Sequence, residues 1–297
     1  MKNLSKLFFV PGIIHILLIM ALVMASCGGG PGDPATYTVT FVGNSIIPDS
    51  STLVLSGNTA IEPKPSTGLG YESKLDWCID DVTFLKVFNF TTPITGDITL
   101  YAKRRPYELG EKGPGGGIIF HRDSSGFTVQ GYTGTAGSFS DYTAYYLEAA
   151  PKDSGSNVRV YGGFVDGATW FPTDVIGQEP PPDYYVNLIG NGRRDTILIV
   201  QQLALTSDTS RAPQLCNDAS FGGVDDWFMP SMGELNKLYK WWDTEVRPDK
   251  YNLSIDWYWS STQTSAAAYW WCQYFDDGSL GARPEDDLGT VRAIRAF

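Results

Sequence analysis

Three hydrophobic rhythms follow one another along this chain. From Leu7 to Val23 apolar residues run almost unbroken behind a positive start at Lys2 and Lys6. From Thr36 the pattern becomes alternation. Tyr37, Val39 and Phe41 stand between threonines, which predicts a half-buried strand. The same reasoning predicts strands at Thr52–Leu55, Ile98–Lys103, Ile118–Phe120, Thr143–Ala149, Trp257–Ser260, Ala268–Phe275 and Val291–Phe297. Asp276-Asp277-Gly278-Ser279 predicts a hairpin turn after Ala268–Phe275. A three-to-four spacing occurs twice. Leu235, Leu238, Tyr239 and Trp242 form one stripe of a helix over Ser231–Trp242, opened by a Ser231/Glu234 capping box. Asp195 or Thr196 can cap a second helix through Leu205, with Ile197, Val200 and Ala204 on one face. Pro63, Pro65 and Gly68-Leu69-Gly70 mark one loop, and the prolines of Gln178–Asp183 mark another.

The first rhythm reads as an export signal: basic start, apolar run, small residues. Met24-Ala25-Ser26-Cys27 closes it and resembles a lipobox, in which a diacylglycerol is attached to the cysteine and the chain is cut before it. The competing reading is a membrane anchor, for which the run is at the short limit. Pro11 and His15 lie inside it, and no basic stop-transfer cluster follows. Gly28-Gly29-Gly30-Pro31-Gly32 then reads as a flexible tether. The expectation is an exported protein held by lipidated Cys27 to the bacterial cell envelope, with the outer membrane as the favoured site. Its divisions are a signal over 1–26, a tether over 27–35, a first module over 36–105 and a C-terminal domain over 106–297.

Charge narrows the partners. The chain carries −11, and losing Lys2 and Lys6 with the signal would take it to −13. Phosphate recognition needs a basic footprint, so nucleic acid is excluded as an expected partner. Sulfated glycans are disfavoured unless Arg193-Arg194 or Lys103-Arg104-Arg105 make a local patch. With Cys27 lipidated, Cys78, Cys216 and Cys272 remain, an odd number. Cys216–Cys272 is the candidate disulfide, since the exported compartment permits one. The alternative is small buried thiols.

Two resemblances cover the mature chain. Tyr37/Val39/Phe41, Gly70-Tyr71, Trp77 and Leu100-Tyr101-Ala102 resemble the Listeria–Bacteroides repeat, the internalin B-type repeat. That implies a small β-grasp-like module acting as a spacer or interaction unit on a bacterial surface. Cys78 departs from the repeat, where an aromatic commonly follows the tryptophan. Five further blocks occur in order: Gly113-Pro114-x-Gly116-Gly117-Ile118-Ile119-Phe120, Tyr146-Leu147-Glu148-Ala149-Ala150-Pro151, Asp226-Trp227-Phe228-Met229-Pro230-Ser231-x-x-Glu234-Leu235, Tyr258-Trp259-Ser260-Ser261 and Val291–Phe297. Together they resemble the C-terminal domain family of the Legionella collagen-like adhesin. They are also similar to C-type-lectin-like and formylglycine-generating-enzyme-like folds. The implied fold class is α+β: a small β-grasp-like repeat module followed by a C-type-lectin-like domain, with two helices against mostly antiparallel strands.

Candidate chemistry is sparse. The mature chain has one histidine, His121, too few for histidine-cluster metal sites. No nucleophile elbow lies near it, and a strand-end surface histidine is its default reading. Gly113–Gly117 precedes a strand, the reverse of a phosphate loop, so tight turning is the expected use. Cys216 and Cys272 lack an adjacent base that would activate a thiol, so the formylglycine-type activity is not carried over. Glu285, Asp286 and Asp287 are weak calcium candidates. Calcium needs six to eight converging oxygens, so the cofactor expectation is none, with calcium left open. Exposed aromatics are effective binding anchors. Trp259, Trp270 and Trp271, with Asp276 and Asp277 beside them, are therefore the candidate ligand-binding residues. Adjacent strand residues face opposite sides, so one of Trp270 and Trp271 should be core. The functional expectation is a non-enzymatic, adhesin-like surface protein. It would recognise a host or envelope protein or glycan through C-terminal loops. The alternatives are a structural envelope lipoprotein or an enzyme on the formylglycine-type scaffold.

Overall fold

The computed structural model describes residues 34–63, 74–133, 137–160, 188–205, 209–264 and 268–297. The expected signal, Cys27, the glycine tether, Gly68–Tyr71 and the 178–183 proline loop lie outside these residues. Among the described residues no helix is long and apolar enough to cross a membrane.

The alternating segment at Thr36 opens a four-stranded sheet of its own. Strands β1 (Thr36–Val42), β2 (Ser50–Leu55), β3 (Lys74–Cys78) and β4 (Ile98–Arg105) lie in the order β2-β1-β4-β3. The central pair, β1 and β4, is parallel and both flanking pairs are antiparallel. One face of each strand is apolar. Val39, Phe41, Val54, Leu75, Trp77, Leu100 and Ala102 meet Ala60, Phe88 and Ile94 in one core. Phe41 packs its ring edge to face with Trp77 at 4.9 Å.

The C-terminal region is built on two sheets. Strands β5 (Ile118–Val129), β6 (Tyr142–Ala149) and β12 (Ile294–Ala296) form a three-stranded sheet in the order β12-β6-β5. Strands β7 (Gly155–Val158), β8 (Trp257–Gln263), β9 (Tyr269–Tyr274), β10 (Leu280–Pro284) and β11 (Gly289–Val291) form the other, in the order β10-β9-β8-β11-β7. Helices α1 (Gly192–Leu205), α2 (Ala212–Asn217) and α3 (Met232–Thr244) pack against them. The predicted hairpin is present: β9 and β10 pair antiparallel across Asp276–Ser279, with Gly278 at φ +78°.

Two expected elements differ. The single last strand over Val291–Phe297 is divided between the two sheets, with Arg292 and Ala293 as the break. Arg292 is 1% exposed and turns inward. It donates to Asp153 (2.7 Å) and to the carbonyls of Ala150, Tyr251 and Asn252. The first helix starts at Gly192, earlier than Asp195 or Thr196. Its buried stripe is therefore Thr196, Ile199 and Leu203, not Ile197, Val200 and Ala204. Helix α3 begins as its sequence predicts. The Ser231 hydroxyl accepts from the Glu234 N–H, and the Glu234 carboxylate accepts from the Ser231 N–H at 2.7 Å.

Candidate functional site

The block Asp226–Leu235 ties α1, α3 and both sheets together. Asp226 receives Arg295 through two oxygens at 2.7 and 2.9 Å, a bidentate geometry that fixes both side chains. Phe228 and Ile294 exchange backbone hydrogen bonds at 2.8 and 2.9 Å. Thr196 on α1 donates its hydroxyl to the Met229 carbonyl and accepts the Met229 N–H. Glu234 is fully buried. Besides Ser231 it receives the Gly190 N–H at 2.7 Å, and the Gly192 N–H contributes as well. Desolvation pushes this carboxyl up, against the downward pull of those donors. A Cβ on Gly192 would lie 2.2 Å from a Glu234 oxygen, so glycine is required at the helix start.

The glycine-rich loop does bind an anion, and the anion belongs to the chain. Glu148 is fully buried and accepts from the N–H groups of Gly115 (3.1 Å) and Gly117 (2.7 Å), with Arg295 at 3.3 Å. Burial raises its pKa, opposed by the Arg295 charge and the two N–H donors. A Cβ on Gly117 would meet the Ala149 carbonyl oxygen at 1.9 Å. The expectation of tight turning thus misses the loop's second use, as a cradle for Glu148.

This bracing positions a cleft of about 460 Å³ between the β5–β6 connection and α1. Gly131, Tyr132, Thr133, Phe139, Ser140 and Asp141 line one side, and Arg194 and Leu198 the other. The connection is held in shape at its base. Tyr132 and Phe139 exchange backbone hydrogen bonds at 2.9 and 3.0 Å, and Asp141 accepts the Gly131 N–H at 2.6 Å. Tyr132 donates its hydroxyl to Gln201 on α1 at 2.7 Å. Gln130 donates to the Gly190 carbonyl, so the cleft floor joins the segment that Glu234 grips. Arg193 lies over Phe139 at 4.5 Å and over Tyr142 at 5.5 Å, and it donates to the Tyr142 hydroxyl at 3.2 Å. The Arg194 guanidinium pairs with Asp195 at 3.2 Å. Aromatic walls, hydroxyls and both charges in one concavity suit a polar ring or a polar peptide side chain.

The residues expected to bind ligand lie elsewhere. Trp259 and Trp270 are each 1% exposed and belong to the core with Val160, Ile199 and Val291, so neither is a surface anchor. The Trp259 indole donates to the Val158 carbonyl at 3.0 Å. Trp271 is half-buried and packs against the other core cluster. Asp276 and Asp277 are exposed turn residues: Asp276 faces Arg247 at 3.5 Å, and Asp277 accepts the Ser279 N–H at 2.9 Å. Trp257, like Trp271, is half-buried, and it packs against the core that holds Trp259. It stacks on Tyr274 at 5.1 Å, with the Arg283 guanidinium 5.5 Å from its ring and Gly281 beneath. It starts β8 at the margin of that core, and strand alternation alone does not reveal that.

Three other expectations are corrected. Cys216 and Cys272 are separate buried thiols in one cluster, so the candidate disulfide is not formed. Burial pushes Cys272 up to about 12 and raises Cys216 as well. Glu285, Asp286 and Asp287 do not converge. Asp287 pairs with Arg283 at 3.1 Å, Glu285 bonds Trp270, and Asp286 is exposed. Among the described residues no three His, Cys, Asp or Glu side chains are placed to hold a metal ion. His121 lies within β5, beside Phe127, and is not a strand-end residue. Desolvation lowers its pKa, and its Nε2 is buried without a hydrogen-bond partner.

Residues 192–295 match the family model of the Lcl C-terminal domain. The match supports the resemblance to the Legionella collagen-like adhesin over that part of the chain. A search of curated proteins finds no match. The Lcl-type region contains Arg194 and Leu198 from the cleft, the Asp226–Leu235 block and the Trp257 surface. The opposite wall of the cleft, 131–133 and 139–141, lies before it.

Proposed function

We propose that this chain is an adhesin-like surface protein, anchored to the outer face of the bacterial envelope through lipidated Cys27, that recognises a glycan or protein with its C-terminal domain. The Lcl-type match over 192–295 carries this reading. The cleft between 131–133, 139–141 and α1 is the favoured contact surface, with Trp257 as a second aromatic contact. The first module acts as a spacer. One acyl chain alone would hold only marginally, so firm anchorage needs the diacylglycerol that a lipobox cysteine receives. The reading is of a binder without catalysis. Its support is that Cys216 and Cys272 are buried with raised pKa values, whereas thiol chemistry needs an accessible thiolate. No calcium is assigned to the site.

The test is binding of the full chain to a glycan array and an extracellular-matrix array, with and without chelator. Saturable binding that survives chelation is expected. Silence on both arrays would overturn the recognition reading in favour of a structural envelope lipoprotein.

A further inference from the structure

Among its described residues, the first module closes one edge of its sheet and leaves the other open. At the β3 edge the chain returns along itself: Ile79 donates to the Lys86 carbonyl at 2.9 Å, Phe88 donates to Trp77 at 2.7 Å, and Cys78 bridges Val87. At the other edge, among the described residues, β2 pairs only with β1. Native sheets usually protect an open edge with charge, proline or a bulge. The strand Ser50-Ser51-Thr52-Leu53-Val54-Leu55 has no charged residue and no proline, and its register with β1 is unbroken. A groove of about 420 Å³ runs beside it, lined by all of β2 together with Asn58, Thr59, Ile61 and Pro63.

The ladder tells which groups face outward. Ser56 donates to Ala35, so in this register Val54, Thr52 and Ser50 bond β1. Ser51, Leu53 and Leu55 then turn their backbone groups to the open edge. The Leu55 carbonyl is taken by the Asn58 N–H at 3.0 Å, leaving its N–H. The side chains of the same residues are exposed, with Leu53 at 71% and Leu55 at 44%.

We propose that this edge pairs with β2 of a second copy of the chain, antiparallel, about a two-fold axis at Leu53. The outward groups complement themselves in that register. The two Leu53 residues exchange a pair of hydrogen bonds, and each Leu55 N–H reaches the Ser51 carbonyl of the other copy. The leucines gather on one face, where apolar contact adds to the ladder. A chain of net charge −11 repels its own copies, and this strip has no charged side chain to add to that repulsion. Asp49, next to the strip, turns its carboxylate back to the Gly43 N–H at 2.7 Å and would face Gly57 of the other copy.

Disulfide capture in the full chain tests this. Hydrogen-bonded antiparallel partners have Cα atoms about 5.5 Å apart, within the span of a disulfide. Leu53→Cys should give a reducible covalent dimer on mild oxidation. Ser51→Cys mixed with Leu55→Cys should give the mixed dimer. Val82→Cys, 82% exposed beyond the opposite edge, should give no more dimer than the wild type. Adding Leu53→Pro to the Ser51→Cys and Leu55→Cys chains should abolish their dimer. That N–H is not used by β1, so the module keeps its own ladder. Equal cross-linking at Leu53 and Val82, or capture that survives Leu53→Pro, would overturn the proposal.

Discussion

Removing the Glu234 carboxylate should be among the most damaging single changes in the C-terminal region. Glu234 is fully buried and accepts from the N–H groups of Ser231, Gly190 and Gly192. Glu234→Ala leaves all three donors in a dry interior without an acceptor. Each unpaired buried donor costs about 1–3 kcal/mol, so the sum is about 3–9 kcal/mol. Domains of this size are stable by roughly 5–15 kcal/mol, so the variant should be largely unfolded or close to it. Glu234→Gln keeps one oxygen and turns an amide N–H₂ toward the remaining donors. It should lose about 1–3 kcal/mol and stay folded. Urea unfolding followed by tryptophan fluorescence would rank the three chains, with Trp241 and Trp242 on the same helix as reporters. A loss below about 1 kcal/mol in Glu234→Ala would refute the bracing role, because a single unpaired donor already costs that much.

Four shorter predictions follow from the same geometry. Trp259→Ala should cost about 3–5 kcal/mol and Trp257→Ala clearly less, since the first is 1% exposed and the second only partly buried; matched unfolding curves check this. Gly117→Ala should fail to give folded protein, because its Cβ would lie 1.9 Å from the Ala149 oxygen, and soluble yield with circular dichroism reads the result. Cys78, Cys216 and Cys272 should resist an aromatic-disulfide thiol reagent in the native chain and react on denaturation; native labelling of Cys216 would contradict its burial. Glu111 bonds Arg105 at 2.6 Å and Lys74 at 2.9 Å, joining the first sheet to the C-terminal region. Despite its partial burial, the Arg105, Glu108 and Lys74 donors hold its carboxyl at about 2, below the ordinary 4.5. A depressed carboxylate stabilises above its unfolded value and is lost as pH falls. Thermal stability should therefore decline between pH 4.5 and 2, with Glu111→Gln lacking that component of the decline.

The sequence made local features readable and long-range ones obscure. The Ser231/Glu234 capping box and the Asp277-Gly278 turn are set within four residues, and both occur as expected. The fate of Trp259 and Trp270 depended on how strands from distant parts of the chain were layered, and composition cannot report that. A run of aromatics looks alike on a surface or in a core. Arg292 divides the last strand because four groups far away in sequence await its guanidinium. Glu234 showed its capping role in sequence but not its grip on Gly190 and Gly192, some forty residues earlier. The cleft was hidden for the same reason: its two walls, the described residues of the β5–β6 connection and α1, are joined by contacts distant in sequence, Tyr132 to Gln201 and Arg193 to Phe139 and Tyr142 among them. Their one visible sign was Arg193-Arg194, noted as a local basic patch in an acidic chain.

The central claim is that this cleft is the recognition surface. Ser140 is exposed in its lining and makes no core contact, so Ser140→Trp should fill the cleft and leave the fold intact. The decisive measurement is the titration of an array-identified ligand against the wild type and this variant. The account predicts at least about tenfold weaker binding, a loss of roughly 1.4 kcal/mol, with unchanged thermal stability. Unchanged affinity in Ser140→Trp would contradict it and move the contact surface elsewhere, with Trp257 the next to be replaced.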